Sequence, residues 1–483
     1  MSTNDYDNIP VEKFQFVQEN EKLHDTKFET EPVGYFKDAF RRFLKNKSSV
    51  TGGIIIIILI IFAIVVPFVS GYKVSDRDLY YAYVLPKCEP LSFLGMDGCK
   101  TSTVNQQTYD KYEATNAIVE TIEVMGSKSK RSTNNTYKIE YDTYEAVGYV
   151  SVTLTNAQYE DIKAFEEEND VQILYPLIDS SKINCNAYKN DANVWYLTDA
   201  KGVADRDSKG NLQDIYLRDE NGNEVYTTSL SGGKVSARVL YKEYYNYKNG
   251  HYASFIFGAD SSGYDILTRL ANGARLSLIL SVVVSAINLC IGVVIGALEG
   301  YYGGNFDLIV ERIKDILWEV PTIVIFSLFQ LHLATKLGAL PSLFFAFVFY
   351  GWIGTSSTVR AQMYRFKGQE YVLAARTLGA KDRRLIFRHI LPNGIGYIVT
   401  ASVLSIPSVI LSEAQLSYLG IVNLQSDTIT SIGTMLNNGQ ATLSQYPHCV
   451  LFPALFIALL LISFNLFGNG LRDALNPALR GTE

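Results

Sequence analysis

Residues 360–393 carry eight Lys and Arg side chains but only two acidic ones, Glu370 and Asp382. The segment lies between two stretches apolar enough to span a bilayer, residues 341–359 and 395–419. Basic flanks of membrane spans stay on the cytoplasmic side. The chemistry that these residues offer is therefore non-covalent. They can rest on anionic lipid headgroups or dock a cytoplasmic protein, and charge alone does not choose between the two.

The same basic segment predicts two short helices. Residues 370–378 are good helix formers followed by Gly379, and residues 381–390 form a second helix that we expect Pro392 to stop. We therefore predict a bent helical unit at the inner membrane face. Its surface combines small residues, which allow close approach of another molecule, with surrounding basic residues. These are Ala374, Ala375, Arg376, Arg383, Arg384 and Arg388.

Six apolar blocks are long enough to be membrane helices, at residues 54–69, 276–298, 313–333, 341–359, 395–419 and 449–471. The first follows a polar and acidic tail of about fifty residues, so it does not have the form of a cleavable signal peptide, which has a short basic start. The basic residues before it and in residues 360–393 both indicate cytoplasmic flanks. We therefore expect a multi-pass protein of the cell membrane, embedded in lipid, with its N- and C-termini in the cytoplasm.

A long polar region separates the first two blocks. Residues 72–255 contain no spanning segment, yet this region holds 21 of the 32 tyrosines and is too long for a simple loop. Alternation over residues 144–154 predicts a strand. A helix over 156–169, capped near Thr155, and a short strand over 171–175 follow. We predict a small α+β domain outside the membrane.

Two motifs in this domain resemble ligand sites but are better explained as turns. Residues 230–234 read LSGGK, close to a signature of ABC ATPases, yet the sequence has no GxxxxGK[ST] phosphate loop. Residues 205–210 resemble the start of a calcium loop, but Lys209 replaces a ligand and Tyr216 occupies the place of the bidentate acid. The glycines in both stretches favour tight turns.

Cysteine and histidine give no metal-binding pattern. Cys88, Cys99 and Cys185 lie in the predicted outer domain, where the spacing of the first two allows a disulfide. The odd third thiol leaves the pairing open. The histidines near or within the spans are scattered without ligand spacing. We therefore expect no metal site.

Ionisable residues in or near membrane spans are functional candidates because they are costly there. Charged residues precede or open the third block, and their spacing permits pairs of opposite charge, such as Glu311 with Lys314. Glu413 lies inside the fifth block, with Pro407 upstream. It is either a polar gate contact of a transport path or a hydrogen-bonding group toward a neighbouring helix.

The basic segment resembles the EAA motif of bacterial ABC-importer permeases. The motif positions that match are Ala374, Ala375, Gly379, Leu391 and Pro392. Leu373 stands at the Glu position of the motif and His389 at its Ile position, although Glu370 lies one helical turn earlier. In that family this segment forms the coupling helices that fit a groove in the ATPase subunit.

Further stretches, at residues 257–278, 300–307, 412–420 and 464–475, resemble the dipeptide and oligopeptide branch of these permeases. The resemblance implies an all-α polytopic membrane domain with six transmembrane helices, in the type I ABC importer permease fold, with an inserted α+β extracytoplasmic domain. The expected divisions are a cytoplasmic tail and amphipathic elbow (1–50), a first transmembrane helix (51–71), the insertion (72–255), and the remaining permease domain (256–483) with coupling helices at 366–393.

The resemblance also implies a function and a set of partners. The chain would be a non-enzymatic peptide permease in a bacterial membrane, working with a second permease, two cytoplasmic ATPases and an extracytoplasmic peptide-binding protein. ATP and Mg²⁺ would be bound by the ATPases, and this chain would hold no cofactor and no nucleic acid. Import of nickel chelates or another small solute stays open. Two alternatives from other classes are an ATP-independent secondary transporter and a sensor or adhesion protein.

Overall fold

A computed structural model describes residues 35–126 and 135–475. Of the predicted tail and elbow (1–50), residues 1–34 lie outside the described residues. The helices are α1 (Tyr35–Lys45), α2 (Lys47–Val69), α3 (Gln106–Ala114), α4 (Asn156–Asn169), α5 (Tyr241–Asn249), α6 (Ile266–Tyr302), α7 (Gly304–Glu319), α8 (Thr322–Leu337), α9 (Ala339–Phe366), α10 (Glu370–Thr377), α11 (Asp382–Arg384), α12 (Leu391–Tyr418), α13 (Ile432–Gln440) and α14 (His448–Leu475). The strands are β1 (Cys99–Asn105), β2 (Ile118–Met125), β3 (Thr136–Asp142), β4 (Tyr149–Thr155), β5 (Leu174–Tyr175), β6 (Thr227–Leu230) and β7 (Lys234–Leu240).

Within the described residues, five helical segments are long and apolar enough to cross a membrane: α2, α6, α9, α14 and the continuous stretch Asp382–Tyr418. A sixth span exists if α7 and α8 are counted together, but these two helices are bent by 82°. The prediction of one helix over residues 313–333 is therefore wrong. Pro321 lacks an N–H and disfavours helical geometry at Val320, which is extended with φ −76° and ψ 123°.

The predicted stop at Pro392 is also wrong. A π-helical turn, Leu385–Ile390, joins α11 to α12, and the chain continues without a break into the membrane span. Pro392 lies in the first turn of α12, where a missing N–H is tolerated. The basic segment thus has two arms. The first is a separate short helix, α10; the second, α11 with the π-helical turn, is the start of a membrane span.

Helices α6 and α9 pack closely against each other, and glycines make this proximity possible. Gly292, Gly296 and Gly300 recur every fourth residue along one face of α6. A Cβ atom at Gly292 would lie 2.6 Å from the Cβ of Thr355, and one at Gly300 would meet Met363. Small residues spaced by four allow membrane helices to approach backbone to backbone. This contact holds the permease domain together.

The strand-containing domain has two antiparallel sheets. The first has the order β1-β3-β2; the second has the order β4-β7-β5, with β6 also paired to β7. The predicted helix over residues 156–169 is confirmed as α4, with a capping box from Thr155 and Gln158. The LSGGK stretch is the β6–β7 turn, and Asp207 accepts the backbone N–H groups of Lys209 and Asn211 in another turn. Both turn interpretations are confirmed.

Two linkers fix this domain to the membrane helices. The linkers pair with each other, since Asp78 N–H donates to Gly263 O and Ala259 N–H donates to Val84 O. Arg269, 2% exposed, donates to the carbonyl oxygens of Val74, Ser426 and Asp427 at 3.1 to 3.3 Å. Its bonds join the first linker, the start of α6 and the loop between α12 and α13. The domain is therefore attached at several points rather than suspended on flexible chains.

Cys88 and Cys99, whose spacing allows a disulfide, are free thiols in the described structure, as is Cys185. Their backbone pairing places them opposite different residues. Cys88 N–H donates to Met96 O, so Cys88 is aligned with Met96, while Cys99 begins strand β1 opposite Asp142. Partial burial, together with nearby carboxylates such as Asp97, raises the pKa of the Cys99 thiol to about 11.

This geometry predicts that Cys99 is alkylated by iodoacetamide without prior reduction. Since the thiolate is the nucleophile, its rate of alkylation should rise about tenfold per pH unit and level off only near pH 11. Mass spectrometry of the Cys99 peptide across this pH range measures the rate. A Cys88→Ser variant is the control. Labelling of Cys99 that requires either a reductant or this substitution would show a disulfide after all.

Candidate functional site

The basic segment presents one short helix, α10, on a buried support. Val372 is its fully buried side chain and packs in one apolar cluster with Leu385, Ile386, Met363 and Ala297. This cluster joins α10 to the π-helical turn and to α6 and α9. Because its rear face is embedded among three other elements, α10 is held as part of the permease domain.

The opposite face of α10 is exposed and mixed in character. Leu378, at the bend, is 88% exposed, and Leu373 is 47% exposed. Large apolar side chains in such positions indicate a contact surface. Gly379 follows with φ +82°, a backbone conformation that favours glycine. We call this surface, from Leu373 to Gly379, the α10 tip.

The predicted coupling residues are divided between the two arms. Glu370, Ala374, Ala375 and Arg376 all lie on α10, where Glu370 is in the first turn and suits the positive end of the helix dipole. The second arm carries the remaining residues: exposed Arg383 and Arg384 on α11, exposed Arg388 in the π-helical turn, and Leu391 and Pro392 at the start of α12. Their role in coupling stays a prediction.

A tyrosine that the sequence analysis missed connects both arms to α6. The Tyr301 hydroxyl donates to an Asp382 carboxylate oxygen at 2.5 Å, and it accepts from Arg376 Nη2 at 3.4 Å. Lys367 Nζ also donates to Gly300 O at 2.8 Å. The end of α6 is therefore bonded to α9, α10 and α11. The sequence signal was the position of Tyr301, directly after an apolar block and a glycine.

A buried ionic cluster lies beside this junction. Lys314 on α7 pairs with Glu299 on α6 at 2.8 Å and also with Glu311. Asp307 accepts two hydrogen bonds from Arg360, at 2.5 and 2.8 Å. The three carboxylates approach closely enough to suit a cation, but the two basic side chains already neutralise much of their charge. The predicted Glu311–Lys314 pairing is confirmed, whereas Glu299 was not identified.

Glu413 faces other helices rather than an open path. It is buried, and the hydroxyl groups of Ser277 and Ser417 donate to its two carboxylate oxygens at 2.7 and 3.1 Å. Ser277 belongs to α6. A cavity among α6, α8, α9 and α12 is lined instead by Ser412 and Gln415, the residues before and two after Glu413. This geometry supports the helix-contact interpretation of Glu413.

Two segments of the chain match known families of transport proteins. Residues 289–481 match the family model described as binding-protein-dependent transport system inner membrane component, and residues 34–86 match the N-terminal TM domain of oligopeptide transport permease C. The oligopeptide transport system permease protein OppC of Bacillus subtilis (strain 168) is 43% identical over 224 residues, which cover 46% of this chain and 72% of that protein. The chain belongs to the oligopeptide and dipeptide permease family.

A second relative of this permease is the dipeptide transport system permease protein DppC of Bacillus subtilis (strain 168). It is 40% identical over 46% of this chain and 69% of that protein. A third, the glutathione transport system permease protein GsiD of Escherichia coli O6:K15:H31, is 37% identical over 50% of this chain and 78% of that protein. The predicted family is confirmed, and so is a helical permease domain with an inserted strand-containing domain; the described residues hold five spans, or six if α7 and α8 form one. Between the two family-model matches lie residues 87–288, which contain the seven strands found among the described residues.

The buried ionic cluster of the permease yields a stability prediction. Lys314→Met leaves Glu299 buried without its cation, which should cost about 3–5 kcal/mol. The melting temperature of the detergent-purified permease measures the loss. Arg312→Met is the matched control, because the Arg312–Asp315 pair is exposed and contributes much less. Equal losses in the two variants would contradict the assignment.

Glu413 yields a second prediction. A carboxamide oxygen can still accept the Ser277 hydroxyl hydrogen bond, so Glu413→Gln should assemble normally and support unchanged peptide uptake. Glu413→Leu, which strands both serine hydroxyls, should lower the melting temperature. Uptake that is lost in a normally assembled Glu413→Gln complex would instead show that the path requires a carboxylate at this position.

Proposed function

We propose that this chain is a permease subunit that forms a translocation path for dipeptides and oligopeptides with a second permease. Two cytoplasmic ATPase subunits would drive it, and an extracytoplasmic binding protein would deliver the peptide. The observation that carries the proposal is the α10 tip, an exposed apolar and basic surface whose rear face is buried in the helical domain.

The contacts behind the α10 tip support a mechanical role. Val372 joins α10 to a cluster that includes Ala297 of α6 and Met363 of α9. Tyr301 adds hydrogen bonds from α6 to both arms of the segment. A push on the α10 tip would therefore move α6 and α9 together, since packed elements shift as bodies rather than deforming continuously.

The chain's own chemistry in this scheme is binding and movement. Its sequence contains no GxxxxGK[ST] loop to cradle nucleotide phosphates, so ATP and Mg²⁺ belong to the ATPase subunits in our proposal. The basic residues of the segment favour the cytoplasmic side, which is also the side of an ATP-hydrolysing partner. An even number of spans would place both termini there, in a bacterial cell membrane.

Peptide is the proposed substrate because two of the relatives above are named as oligopeptide and dipeptide permeases. The relative named for glutathione, which is a tripeptide, fits the same substrate class. A nickel chelate or another small solute is the alternative. A transporter that works without ATP would leave the α10 tip without a function. Uptake in proteoliposomes with and without ATP and the ATPase subunits distinguishes an ATP-driven importer from an ATP-independent transporter.

The proposal predicts that Leu378→Asp uncouples the permease from its ATPases. A charge placed in an apolar contact should weaken association at least about tenfold, while the fold is retained because Leu378 is 88% exposed. Co-purification of the ATPase subunits and ATP-driven peptide uptake measure the effect. Leu94→Asp, at an exposed leucine of the inserted domain, is the matched control. ATPase binding that is equal in both variants would refute docking at the α10 tip.

A further inference from the structure

A short loop of the inserted domain exposes two large apolar side chains at its tip. The loop closes on itself at its base, where Cys88 N–H donates to Met96 O at 2.8 Å. At the tip, Phe93 is 79% exposed and Leu94 is 66% exposed. Single exposed apolar residues are ordinary, but two adjacent ones on a projecting loop are a candidate contact surface. We call residues 88–96 the apolar finger.

The base of the apolar finger lies close to the end of the membrane helices to which the inserted domain is attached. Lys87, directly before the finger, donates its N–H to Phe255 O at 2.9 Å. Two residues later in the chain, Phe257 stacks on Phe452 in the second turn of α14, with ring centroids 4.1 Å apart. The tip lies no farther than roughly 10 Å from this base, because three extended residues span about that length.

The helices beneath the apolar finger are α2 and α14. Phe257 and Phe452 pack against a core cluster that includes Leu59 and Ala63 of α2. The exposed residues of α2 are a run of isoleucines, which suit the acyl chains of lipid. None of the described residues that line the cavity among α6, α8, α9 and α12 belongs to α2 or α14. The finger is therefore near a lipid-facing side of the bundle.

The turn in the apolar finger has the same backbone geometry as a turn in the second linker, which leads into α6. In each turn, a glycine with positive φ donates its N–H to the carbonyl oxygen three residues earlier. Gly95 does so at 2.9 Å with φ +78°, and Gly258 at 3.0 Å with φ +77°. The residue before the second glycine is Phe257, which packs on α14. Its counterpart in the finger, Leu94, points away from the chain instead.

We infer that the apolar finger inserts Phe93 and Leu94 into the lipid leaflet on the side of the inserted domain. Apolar side chains of interfacial segments reach about 5–10 Å into the boundary between headgroups and acyl chains. Residues 90–96 carry no charge, so this contact does not require anionic headgroups. The partner is the bilayer itself, and the inference goes beyond the proposed function because it does not depend on the transported solute.

Insertion adds a lipid contact to the protein contacts that already hold the inserted domain. Arg269 joins the first linker to the loop between α12 and α13. The apolar finger adds an attachment on the side of α2 and α14. The domain then cannot tilt away from the membrane without moving two apolar side chains from lipid into water, which is unfavourable.

The test places a tryptophan at the tip and measures its depth in the bilayer. The full chain with Phe93→Trp is reconstituted into vesicles of phosphatidylcholine that carries bromine, a contact quencher, on its acyl chains. Wild-type fluorescence, from Trp195, Trp318 and Trp352, is subtracted. The added fluorescence should lose most of its intensity. Bromine near the headgroup end of the chains should quench it more than bromine near their terminus, because the insertion is shallow.

Leu230→Trp is the matched control, because Leu230 is also an exposed leucine of the inserted domain. It lies at the β6–β7 turn, and strand β7 places this turn roughly 20 Å from Tyr241. The Tyr241 hydroxyl donates to Asp78 in the first linker. The added fluorescence of this control should not be quenched. Equal quenching in the two variants, or none in Phe93→Trp, would overturn the inference.

Two further measurements separate lipid from other partners of the tip. Leu94→Trp gives an independent reading at the neighbouring position and should be quenched in the same way. Quenching that is present in the isolated chain but lost in the complete importer would show that a protein covers the tip, and would reject lipid insertion. Quenching that appears only after anionic lipid is added would also contradict an apolar contact. These readings do not involve ATP-driven uptake, so the proposed function is tested separately.

Discussion

The backbone contact between α6 and α9 is the constraint on which the rest of the permease domain depends. Gly292, Gly296 and Gly300 let the two helices approach so closely that a methyl group in this position would collide with the partner. One turn before these glycines, Asn288 lies against Gly351 in the cavity wall, and directly after them comes Tyr301 at the coupling segment. The contact between α6 and α9 thus extends continuously from the cavity to the α10 tip.

The positions of charged residues along this contact follow the free-energy cost of burying a charge. The described wall of the cavity is neutral, whereas the far end of α6 carries Glu299, which is paired with Lys314 inside the protein. Each buried ion at that end has a partner of opposite sign on a neighbouring helix, so desolvation is offset by pairing. The pairs also fix how α6, α7 and α9 are oriented, because a shift in any one helix would separate the charges.

The inserted domain is stabilised by different contacts from those of the membrane helices to which it is attached. Several tyrosines lie in its core, and Tyr81 packs against both Tyr144 and Tyr241 close to the linkers. Arg269 then joins these linkers to the loop after α12 through three backbone carbonyl groups. Since that loop follows α12, which lines the cavity, the inserted domain is connected to the cavity wall through this helix.

Local patterns in the sequence determined the apolar spans, the α4 helix with its Thr155 cap, and the family motif around Gly379, because each depends on residues within a few turns of one another. The bend at Pro321 and the continuous helix through Pro392 show where local rules were ambiguous, since the tertiary setting selects a break in one case and a first helical turn in the other. The pairing of Lys314 with a glutamate on another helix, and the cavity itself, were decided only by tertiary structure. Such contacts depend on the rotation and depth at which helices pack, which no single stretch of residues encodes.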